Sequence, residues 1–409
     1  MAGFNTLDDF DFRGKRVLVR ADLNVPVADG KVTDSTRIER VIPTLWDITK
    51  TGAKVVLLSH FGRPDGKVDK AFSLKVTVPA IEALLHHPVI FIDTDWTDVS
   101  AAKKAVADAP DGSVLLLENT RFHPGEVKND PGLVKRMASL GDIYINDAFS
   151  AAHRAHASTE GLAHVLPSGA GHAMTSELTA LEQGLGNPQR PVIALVGGAK
   201  VSTKIGLLEN LVSKVEALVI GGGMANTFLF AMEIGVGKSL CEKDLADTAN
   251  RIVEAADKAG CAIILPVDAN VAWHFKAGAP HRLYGIDAID SDGMILDVGP
   301  SSIERIKGAI DEARTIVWNG PLGAFELPPF DAATVQIARY AAKRTHAGKL
   351  VSIAGGGDTV GALAHAGVKD KFTYVSTAGG AFLEWMEGKS LPGVAALTAA
   401  HAASPGNAG

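Results

Sequence analysis

Residues 191–208 combine two glycines with two lysines in the order P-V-I-A-L-V-G-G-A-K-V-S-T-K-I-G-L-L. The apolar run at residues 191–196 is typical of a strand buried on both faces. The glycines at 197–198 allow a tight turn, and a helix starting there would carry Lys200 and Lys204 on one face. Two cations near a helix N-terminus predict a phosphate site, although the stretch taken alone better suits an ordinary strand–helix unit with two solvated lysines.

In the first half of the chain, polar and mostly cationic residues directly follow the predicted strands. They are Asp22 and Asn24, His60 and Arg63, Arg121, and Arg154, and Arg37 on the helix after the first loop could join them. In an open α/β sheet the ligand crevice lies beyond the carboxyl ends of the strands. Because an arginine fork binds carboxylate or phosphate oxygens in pairs, the set predicts an anion pocket. A single arginine would more often form a surface ion pair.

The motif H-R-A-H places His153 and His156 three residues apart, a spacing that resembles a pair of metal ligands on a helix. No third ligand is evident nearby, and Arg154 between them would repel a cation. We interpret the two histidines as polar packing around the arginine.

The second half has glycine-rich segments after its strands, including G-G-G-M-A-N at 221–226 and G-G-G-D-T at 355–359. Such loops let backbone N–H groups approach a ligand closely. Asp358 could hold Mg²⁺ through water, could cap the following helix, or could do both. Glu326 could accept hydrogen bonds from ribose hydroxyls or could be an exposed loop carboxylate.

Two glycine patterns in this half are interpreted as decoys. G-V-G-K-S at 235–239 resembles the end of a P-loop, but Met232 stands where the first glycine belongs, and the preceding residues favour a helix. The segment from Gly221 gives G-x-G-x-x-N, which is not a dinucleotide fingerprint.

These residues must be positioned by short apolar strands that alternate with helices, a pattern that predicts parallel sheets covered on both faces. A chain of 409 residues is too long for one ordinary core, so we expect two domains. Residues 171–190 favour a helix that ends near Gly186 and connects the two halves. The predicted fold class is α/β, with two Rossmann-like three-layer domains, each a parallel sheet flanked by helices, joined by a hinge helix.

The composition narrows the class of function. A net charge of −6 argues against non-specific binding of nucleic acid. Cys241 and Cys261 suit buried thiols in a reducing compartment better than a disulfide or a metal site. No signal peptide and no apolar run near the ~20 residues of a membrane span are visible. We therefore expect a cytoplasmic protein that contacts neither nucleic acid nor membrane, and the tail H-A-A-S-P-G-N-A-G is predicted to be disordered.

The chain carries an ordered set of motifs that closely resembles the phosphoglycerate kinase family. In order they are R-A-D-L-N-V-P, S-H-F-G-R-P, E-N-T-R-F-H, N-D-A-F-S-A-A-H-R-A-H, G-G-A-K-V-S-T-K, G-G-G-M-A-N, W-N-G-P-L-G-A-F-E and G-G-G-D-T. One motif would be weak, but this number in the family's order is specific. The resemblance runs from about residue 16 to L-P-G-V at 391–394.

The resemblance implies reversible, Mg²⁺-dependent phosphoryl transfer between 1,3-bisphosphoglycerate and ADP, giving 3-phosphoglycerate and ATP in glycolysis. It implies an N-terminal domain of residues 1–172 plus 391–409, a connecting helix at 173–190 and a nucleotide-binding domain at 191–390. The implied triose-acid residues are Asp22, Asn24, Arg37, His60, Phe61, Gly62, Arg63, Arg121 and Arg154. The implied nucleotide residues are Lys200, Lys204, Asn319, Glu326, Gly356, Gly357, Asp358 and Thr359, with Asp358 for the metal.

By the same resemblance the enzyme is expected to be a monomer that closes around its substrates, with Arg37 and Lys204 as the catalytic pair. Two positions depart from the family pattern. Ser150 stands where the family commonly has glycine, and Ala378 replaces the central glycine of S-T-G-G-G. A methyl group at 378 would crowd the backbone if that position required a positive φ.

Other classes of function fit less well. A nicotinamide dehydrogenase would need a dinucleotide fingerprint, and a metal-dependent hydrolase would need a His/Asp ligand cluster; the sequence suggests neither. A catalytically inactive scaffold would not be expected to retain Lys204, Asp358 and the arginines together.

Overall fold

The computed structural model describes residues 3–402. Contacts divide this part of the chain into two compact units: one runs to Leu178 and resumes at Ser390, and the other runs from Thr179 to Lys389. Each unit contains a six-stranded sheet in which all neighbouring strands are parallel. Helices flank both sheets, which confirms the predicted α/β fold class with two parallel-sheet domains.

The sheet of the first unit has the strand order β5-β6-β4-β1-β7-β8, and β2 and β3 form a separate antiparallel pair. The strands are β1 (Arg16–Arg20), β2 (Val27–Ala28), β3 (Lys31–Val32), β4 (Lys54–Leu58), β5 (Val89–Ile92), β6 (Val114–Leu117), β7 (Ile143–Asn146) and β8 (Ser168–Ala170). The helices are α1 (Thr36–Thr49), α2 (Val78–Leu85), α3 (Ser100–Asp108), α4 (Pro131–Ala138) and α5 (His172–Leu181), the last of which leads into the second unit.

The register of the first sheet decides which loops meet. Arg20 at the end of β1 lies opposite Leu58 of β4 and Asn146 of β7. The polar motifs that follow these strands therefore start from one edge of the sheet. Helix α1 packs through Ile38 and Leu45, which are fully buried, and so fixes the helix that carries Arg37.

The sheet of the second unit has the order β11-β10-β9-β15-β16-β17. The strands are β9 (Val192–Val196), β10 (Ala217–Ile220), β11 (Ala262–Ile264), β12 (Asp268–Ala272), β13 (His281–Gly285), β14 (Met294–Val298), β15 (Thr315–Asn319), β16 (Val351–Gly355) and β17 (Tyr374–Ser376). The helices are α6 (Ile205–Leu211), α7 (Gly222–Ala231), α8 (Ala246–Ala259), α9 (Pro300–Glu312), α10 (Ala332–His346), α11 (Gly357–His365) and α12 (Gly379–Met386). Strands β13-β12-β14 form an antiparallel sheet that the alternation of strands and helices did not predict.

Three sequence expectations about helices need correction or limits. The region 171–190 is not one α-helix, because α5 ends at Leu181 and a π-helical turn, Glu182–Gly186, follows it. Helix α13 (Pro392–Ala402) packs with the first unit, where Gly393 N donates to Ala152 O at 2.8 Å. The predicted disorder of the tail is therefore wrong for residues 401–402, and residues 403–409 lie outside the described part.

Among residues 3–402, no helix is long and apolar enough to cross a membrane.

Candidate active site

The first group of predicted residues is joined by hydrogen bonds beyond β1. Arg37, in the first turn of α1, donates to Asn24 O at 2.9 Å and forms an ion pair with Asp22 at 3.2 Å. Asn24 Oδ1 accepts from Gly62 N at 2.9 Å, which joins the loop after β1 to the loop after β4. One helix and two loops thus fix the first three predicted residues relative to Gly62.

The backbone of the loop after β4 is held from the loop after β6. Gly62 O accepts from Arg121 at 2.9 Å, and Phe61 O accepts from Asn119 Nδ2 at 2.7 Å. Gly62 has a φ of +59°. A Cβ there would lie 2.3 Å from the Phe72 ring, so both conformation and space require glycine.

The cations of this loop cluster lie close enough to perturb one another. Burial and then the charge of Arg20 lower the pKa of Arg121 to about 10, against the opposing effect of Glu126. The charges of Arg154 and Arg63 contribute to the same lowering of the pKa, and both of these side chains are exposed. A bound anion would relieve this repulsion, and the cluster therefore favours an anionic ligand.

His60 is also buried in this cluster, with 8% of its surface exposed. Burial, with Arg20 next, holds its pKa well below the usual value. The structure thus brings the predicted triose-acid residues together around one set of loops. Sequence reasoning overlooked Arg20, Ser158 and Glu126, although an arginine ending the apolar strand R-V-L-V-R was a visible signal.

The two lysines of the second unit are placed differently from the prediction. Lys200 is extended, with φ −137° and ψ 133°, and is exposed. A 3₁₀ turn, Val201–Thr203, follows it, and α6 starts only at Ile205 with Lys204 as its N-cap. The expectation that both lysines share one helix face is therefore wrong, because the turn intervenes between the diglycine and the helix.

Lys204 is held by two backbone carbonyls. Its Nζ donates to Gly197 O at 2.7 Å and to Asn319 O at 3.0 Å. Burial lowers the pKa of this ammonium group to about 8, against the opposing charge of Asp358. The lysine is therefore a partly buried cation without a direct carboxylate partner among the described residues.

Close approach of two backbones brings these carbonyls together. Gly320 has a φ of +104°, and a Cβ there would lie 2.1 Å from Gly197 O. Gly320 N donates to Thr359 Oγ1 at 2.7 Å, and Asn319 Nδ2 donates to Gly355 O at 2.8 Å. The loops after β9, β15 and β16 therefore meet through predicted nucleotide residues.

The last predicted group lies at the start of α11. Gly356, with a φ of +98°, is the N-cap, and Gly357 is the first helical residue. Asp358 therefore stands in the first turn, and the alternative that it caps the helix is wrong. Its side chain is exposed, so it is accessible to a ligand or a hydrated cation.

A cavity of about 620 Å³ opens beside these loops in the second unit. Its walls come from the start of α7, from β14 and from the loop after β15, and include Gly222, Gly223, Leu296, Pro321, Leu322 and Phe325. Glu326 and Asp358 also line it. The mainly apolar wall with a few polar groups at its edge suits a planar organic ligand with a charged end.

Some cavity residues belong to the two patterns that were interpreted as decoys. Gly222, Gly223 and Asn226 line the cavity from the motif G-G-G-M-A-N, and Lys238 does so from G-V-G-K-S. The second motif follows α7 and not a strand, so it is not a P-loop. That residues of these two glycine patterns line the cavity could have been inferred only from the fold.

The two departures from the family pattern are accommodated. Ala378 has φ −95° and ψ 55°, so the concern about a positive φ does not arise. Ser150 donates from Oγ to Asp22 Oδ2 at 2.5 Å. The serine thus adds a hydrogen bond to one of the predicted anion-site residues.

Fold and geometry together define a two-domain α/β protein with a cluster of cationic and polar side chains in one unit and a mainly apolar cavity in the other. The family model described as phosphoglycerate kinase matches residues 7–389. A phosphoglycerate kinase of Rhodopseudomonas palustris is 66% identical over 96% of this chain and 98% of its own. One from Brucella melitensis biotype 1 is 64% identical over 96% and 99%.

The solved structure of phosphoglycerate kinase from Coxiella burnetii is similar to this chain with a TM-score of 0.91 and 44% identity, over 97% of this chain and 99% of that one. The enzyme from Pyrococcus horikoshii OT3 gives a TM-score of 0.78 and 30% identity, over 97% and 98%. The chain therefore belongs to the phosphoglycerate kinase family. It is a phosphotransferase with a carboxyl group as acceptor, which confirms the predicted class of enzyme.

Proposed function

We propose that this enzyme transfers a phosphoryl group reversibly between 1,3-bisphosphoglycerate and ADP, giving 3-phosphoglycerate and ATP. The observation that carries the proposal is the division of labour between the units. The first unit gathers cations and hydrogen-bond donors around a small site, whereas the second has a mainly apolar cavity with Lys204 and Asp358 near it. A small, highly charged acid and a nucleotide need these two kinds of site.

In the first unit, the arginines are proposed to hold the carboxylate and phosphate of the triose acid. Arg37 and Arg121 each donate to a loop backbone as well, so their guanidinium groups are already oriented. Arg63 and Arg154 are exposed and can move onto a ligand. Asp22, Asn24, His60, Phe61 and Gly62 complete the proposed triose-acid site.

In the second unit, the cavity is proposed to hold the adenosine of ADP or ATP. Glu326 lines it as an exposed carboxylate that can accept hydrogen bonds from ribose hydroxyls. The phosphates would then lie toward the start of α11, where backbone N–H groups favour anions. Asn319, Gly356, Gly357 and Thr359 shape that end, and exposed Lys200 is proposed to reach the phosphates as a mobile cation.

Mg²⁺ fits this site only as a companion of the nucleotide. Among residues 3–402, no group of three or more His, Cys, Asp or Glu side chains could hold a metal ion. One carboxylate together with substrate phosphates is the usual setting for Mg²⁺, and the exposed Asp358 supplies that carboxylate. The cation, when bound, would neutralise charge on the nucleotide phosphates.

The chemistry asks for positioning and charge stabilisation more than for proton transfer. The carboxylate of 3-phosphoglycerate is already ionised at pH 7, so no general base is needed. We propose direct in-line transfer without a phosphoenzyme. Lys204 and Arg37 would stabilise charge on the transferring group. Since reacting atoms must come within about 3–3.5 Å, substrates held on separate units require the units to close.

The expected cytoplasmic location and monomeric state belong to the same proposal. Both cysteines are free thiols, which suits a reducing compartment. Cys261 is buried as expected, but Cys241 is partly exposed.

The first test is Mg²⁺- and ATP-dependent turnover of 3-phosphoglycerate, coupled to reduction of the acyl phosphate and followed as loss of NADH. The unaltered enzyme, Lys204→Ala and Lys200→Ala would be compared. We expect Lys204→Ala to lower kcat by about 10²–10³, because it removes a donor aimed at developing charge. Lys200→Ala should mainly raise KM for the nucleotide, because an exposed cation contributes to ground-state binding.

Equal losses of kcat in the two variants would contradict the assignment of Lys204 to the transition state. An unaltered enzyme that binds ADP but turns nothing over would contradict the proposed reaction and support an inactive nucleotide-binding scaffold.

A further inference from the structure

Arg20 is a buried cation whose partners are all polar but uncharged. Only 1% of its surface is exposed. Its guanidinium donates to Ser158 Oγ at 2.8 Å and to Ala21 O at 2.5 Å, and it contacts His60 Nδ1 at 2.9 Å. Within residues 3–402 no carboxylate forms an ion pair with it at 4 Å or less. A buried arginine needs a nearby compensating charge, and that charge must act through another group.

Glu126 supplies this charge through Ser158. Its side chain is completely buried. One oxygen accepts from Ser158 Oγ at 2.5 Å and the other accepts from Ser158 N at 3.1 Å. The serine hydroxyl therefore donates a hydrogen bond to Glu126 and accepts one from Arg20. The hydrogen bonds form one connected chain in which Arg20 donates both to His60 and to Ser158, and Ser158 in turn donates to Glu126.

The hydrogen bond from Arg20 decides which ring nitrogen of His60 carries the proton. A guanidinium group has only donors, so the Nδ1 atom that faces Arg20 must be an acceptor. The proton of the neutral imidazole is therefore on Nε2. No residue among 3–402 forms a hydrogen bond with Nε2 of His60, so this N–H can donate to a ligand or to water.

The surroundings of His60 oppose a second proton. Arg20 of β1, Arg121 after β6, His156 after β7 and Arg37 of α1 all face it, and each disfavours a positive charge there. A proton on Nδ1 would also set two donors against each other. At neutral pH the three arginines are the charged groups of this set, because burial lowers the pKa of His156 to about 4.

We propose that Glu126, acting through Ser158 and Arg20, is a positioning residue that fixes His60 as a neutral imidazole with its Nε2–H presented to the triose acid. His60 then contributes a directed hydrogen bond and not a positive charge. The proposal rests on the proposed function, because it assigns His60 to the triose-acid site. Substrate binding by His60 accordingly does not depend on its titration near neutral pH.

The test is the tautomer of His60, measured by long-range ¹H–¹⁵N NMR on histidine-labelled, ligand-free enzyme. A His60→Gln sample identifies the signal. We expect the unaltered enzyme to show only the Nε2–H form from neutral pH down to the acid limit of stability. In Glu126→Gln and Ser158→Ala we expect a mixture of the Nδ1–H and Nε2–H tautomers, because Arg20 is no longer held against Nδ1. KM for 3-phosphoglycerate should rise about tenfold in both, with a smaller change in kcat.

Tyr144→Phe is the matched control. The Tyr144 hydroxyl donates to Ser158 O at 2.8 Å and Thr159 O at 3.1 Å, so it braces the same turn without belonging to the chain of hydrogen bonds. This variant should lower the Tm and leave the tautomer unchanged. A purely structural role of Glu126 would make its variant behave like Tyr144→Phe, with a lower Tm and the His60 tautomer kept, and that result would overturn the proposal.

The measurement on the unaltered enzyme needs no variant, so the proposal can be tested even if Glu126→Gln does not fold. An Nδ1–H or doubly protonated His60 at neutral pH would overturn it. Failure of the proposed function would instead appear as absent turnover in the unaltered enzyme, whatever the tautomer of His60.

Discussion

The two sites of this enzyme are built by opposite means. In the first unit, side chains do the work: Arg37, Arg121 and His60 are held by hydrogen bonds among side chains and loop carbonyls. In the second unit the backbone does it: Gly320 lies against Gly197, and their loop carbonyls hold one lysine. The first site is a cluster of charged side chains, whereas the second is a cavity beside closely packed backbone.

The difference between the two units matches what the ligand proposed for each of them needs. A small, densely charged acid is bound by cations, and cations placed close together repel one another. The first unit therefore needs buried hydrogen-bonded groups such as Glu126 behind them. A nucleotide has a large uncharged part, so its site needs space and close backbone approach, which glycine allows.

Gly320→Ala should have the largest effect among the variants that test whether the second site depends on close backbone approach. Its Cβ would meet Gly197 O at 2.1 Å and Lys204 Nζ at 2.9 Å, and its φ is +104°. We expect a loss of stability of about 3 kcal/mol and a fall in kcat of at least about tenfold, because the lysine must move. Calorimetric unfolding and the coupled assay measure the two effects.

Gly348→Ala is the control for Gly320→Ala. Its φ is +67°, but a Cβ there would meet nothing within 4 Å. It should cost only about 1–2 kcal/mol of backbone strain and leave kcat unchanged. If both variants behaved alike, a positive φ alone would explain why glycine is needed at position 320, and contact with Gly197 would not contribute.

A smaller effect concerns pH. Burial lowers the pKa of Lys204 to about 8, whereas that of Arg121 falls only to about 10. In the free enzyme we expect kcat/KM for the nucleotide to fall above pH 8, approaching tenfold per pH unit, because the lysine loses its charge. Binding of 3-phosphoglycerate to the nucleotide-free enzyme, measured by calorimetric titration, should hold until about pH 10, because it depends on Arg121 and not on Lys204. Two pH profiles with the same limb would contradict this separation.

The same pKa shift predicts how stability depends on pH. The folded pKa of Lys204 lies below its ordinary value of 10.5, so between about pH 8 and 10.5 the unfolded chain binds more protons than the folded one. Stability of the unaltered enzyme should therefore rise with pH in this window relative to Lys204→Met, by at most about 1.4 kcal/mol per pH unit. A flat difference would show that the ammonium group is solvated in the folded state.

The contrast also explains what the sequence could predict. Arginines and polar residues directly after apolar strands indicate the proposed anion site, because strand ends meet at one edge of a parallel sheet. Asp22, Arg37 and Arg121 were therefore predictable from residue type and position. Arg20 was not predicted as part of the site, because it lies within the strand pattern.

The cavity proposed for the nucleotide could be predicted only in part. Lys204 and Asp358 have informative side chains, but Met294 and Leu296 are ordinary apolar residues whose role depends on an antiparallel sheet that the pattern did not reveal. The start of α6 was also misplaced, because a 3₁₀ turn after a diglycine has no distinct signal in the sequence. Backbone approach is a property of the fold and is not visible in residue type.

The smallest expected effect tests whether one hydrogen bond in the charged site can be removed. Ser150 donates to Asp22, which also accepts from Asn24 N at 3.2 Å and pairs with Arg37 at 3.2 Å. Because those two partners remain, Ser150→Gly should change KM for 3-phosphoglycerate by less than about threefold and stability by about 1 kcal/mol or less. Ser150→Ala separates loss of the hydroxyl from added backbone freedom. A tenfold rise of KM in both variants would mean that the hydroxyl orients Asp22, and that the first site depends on each side-chain contact as strictly as the second depends on glycine.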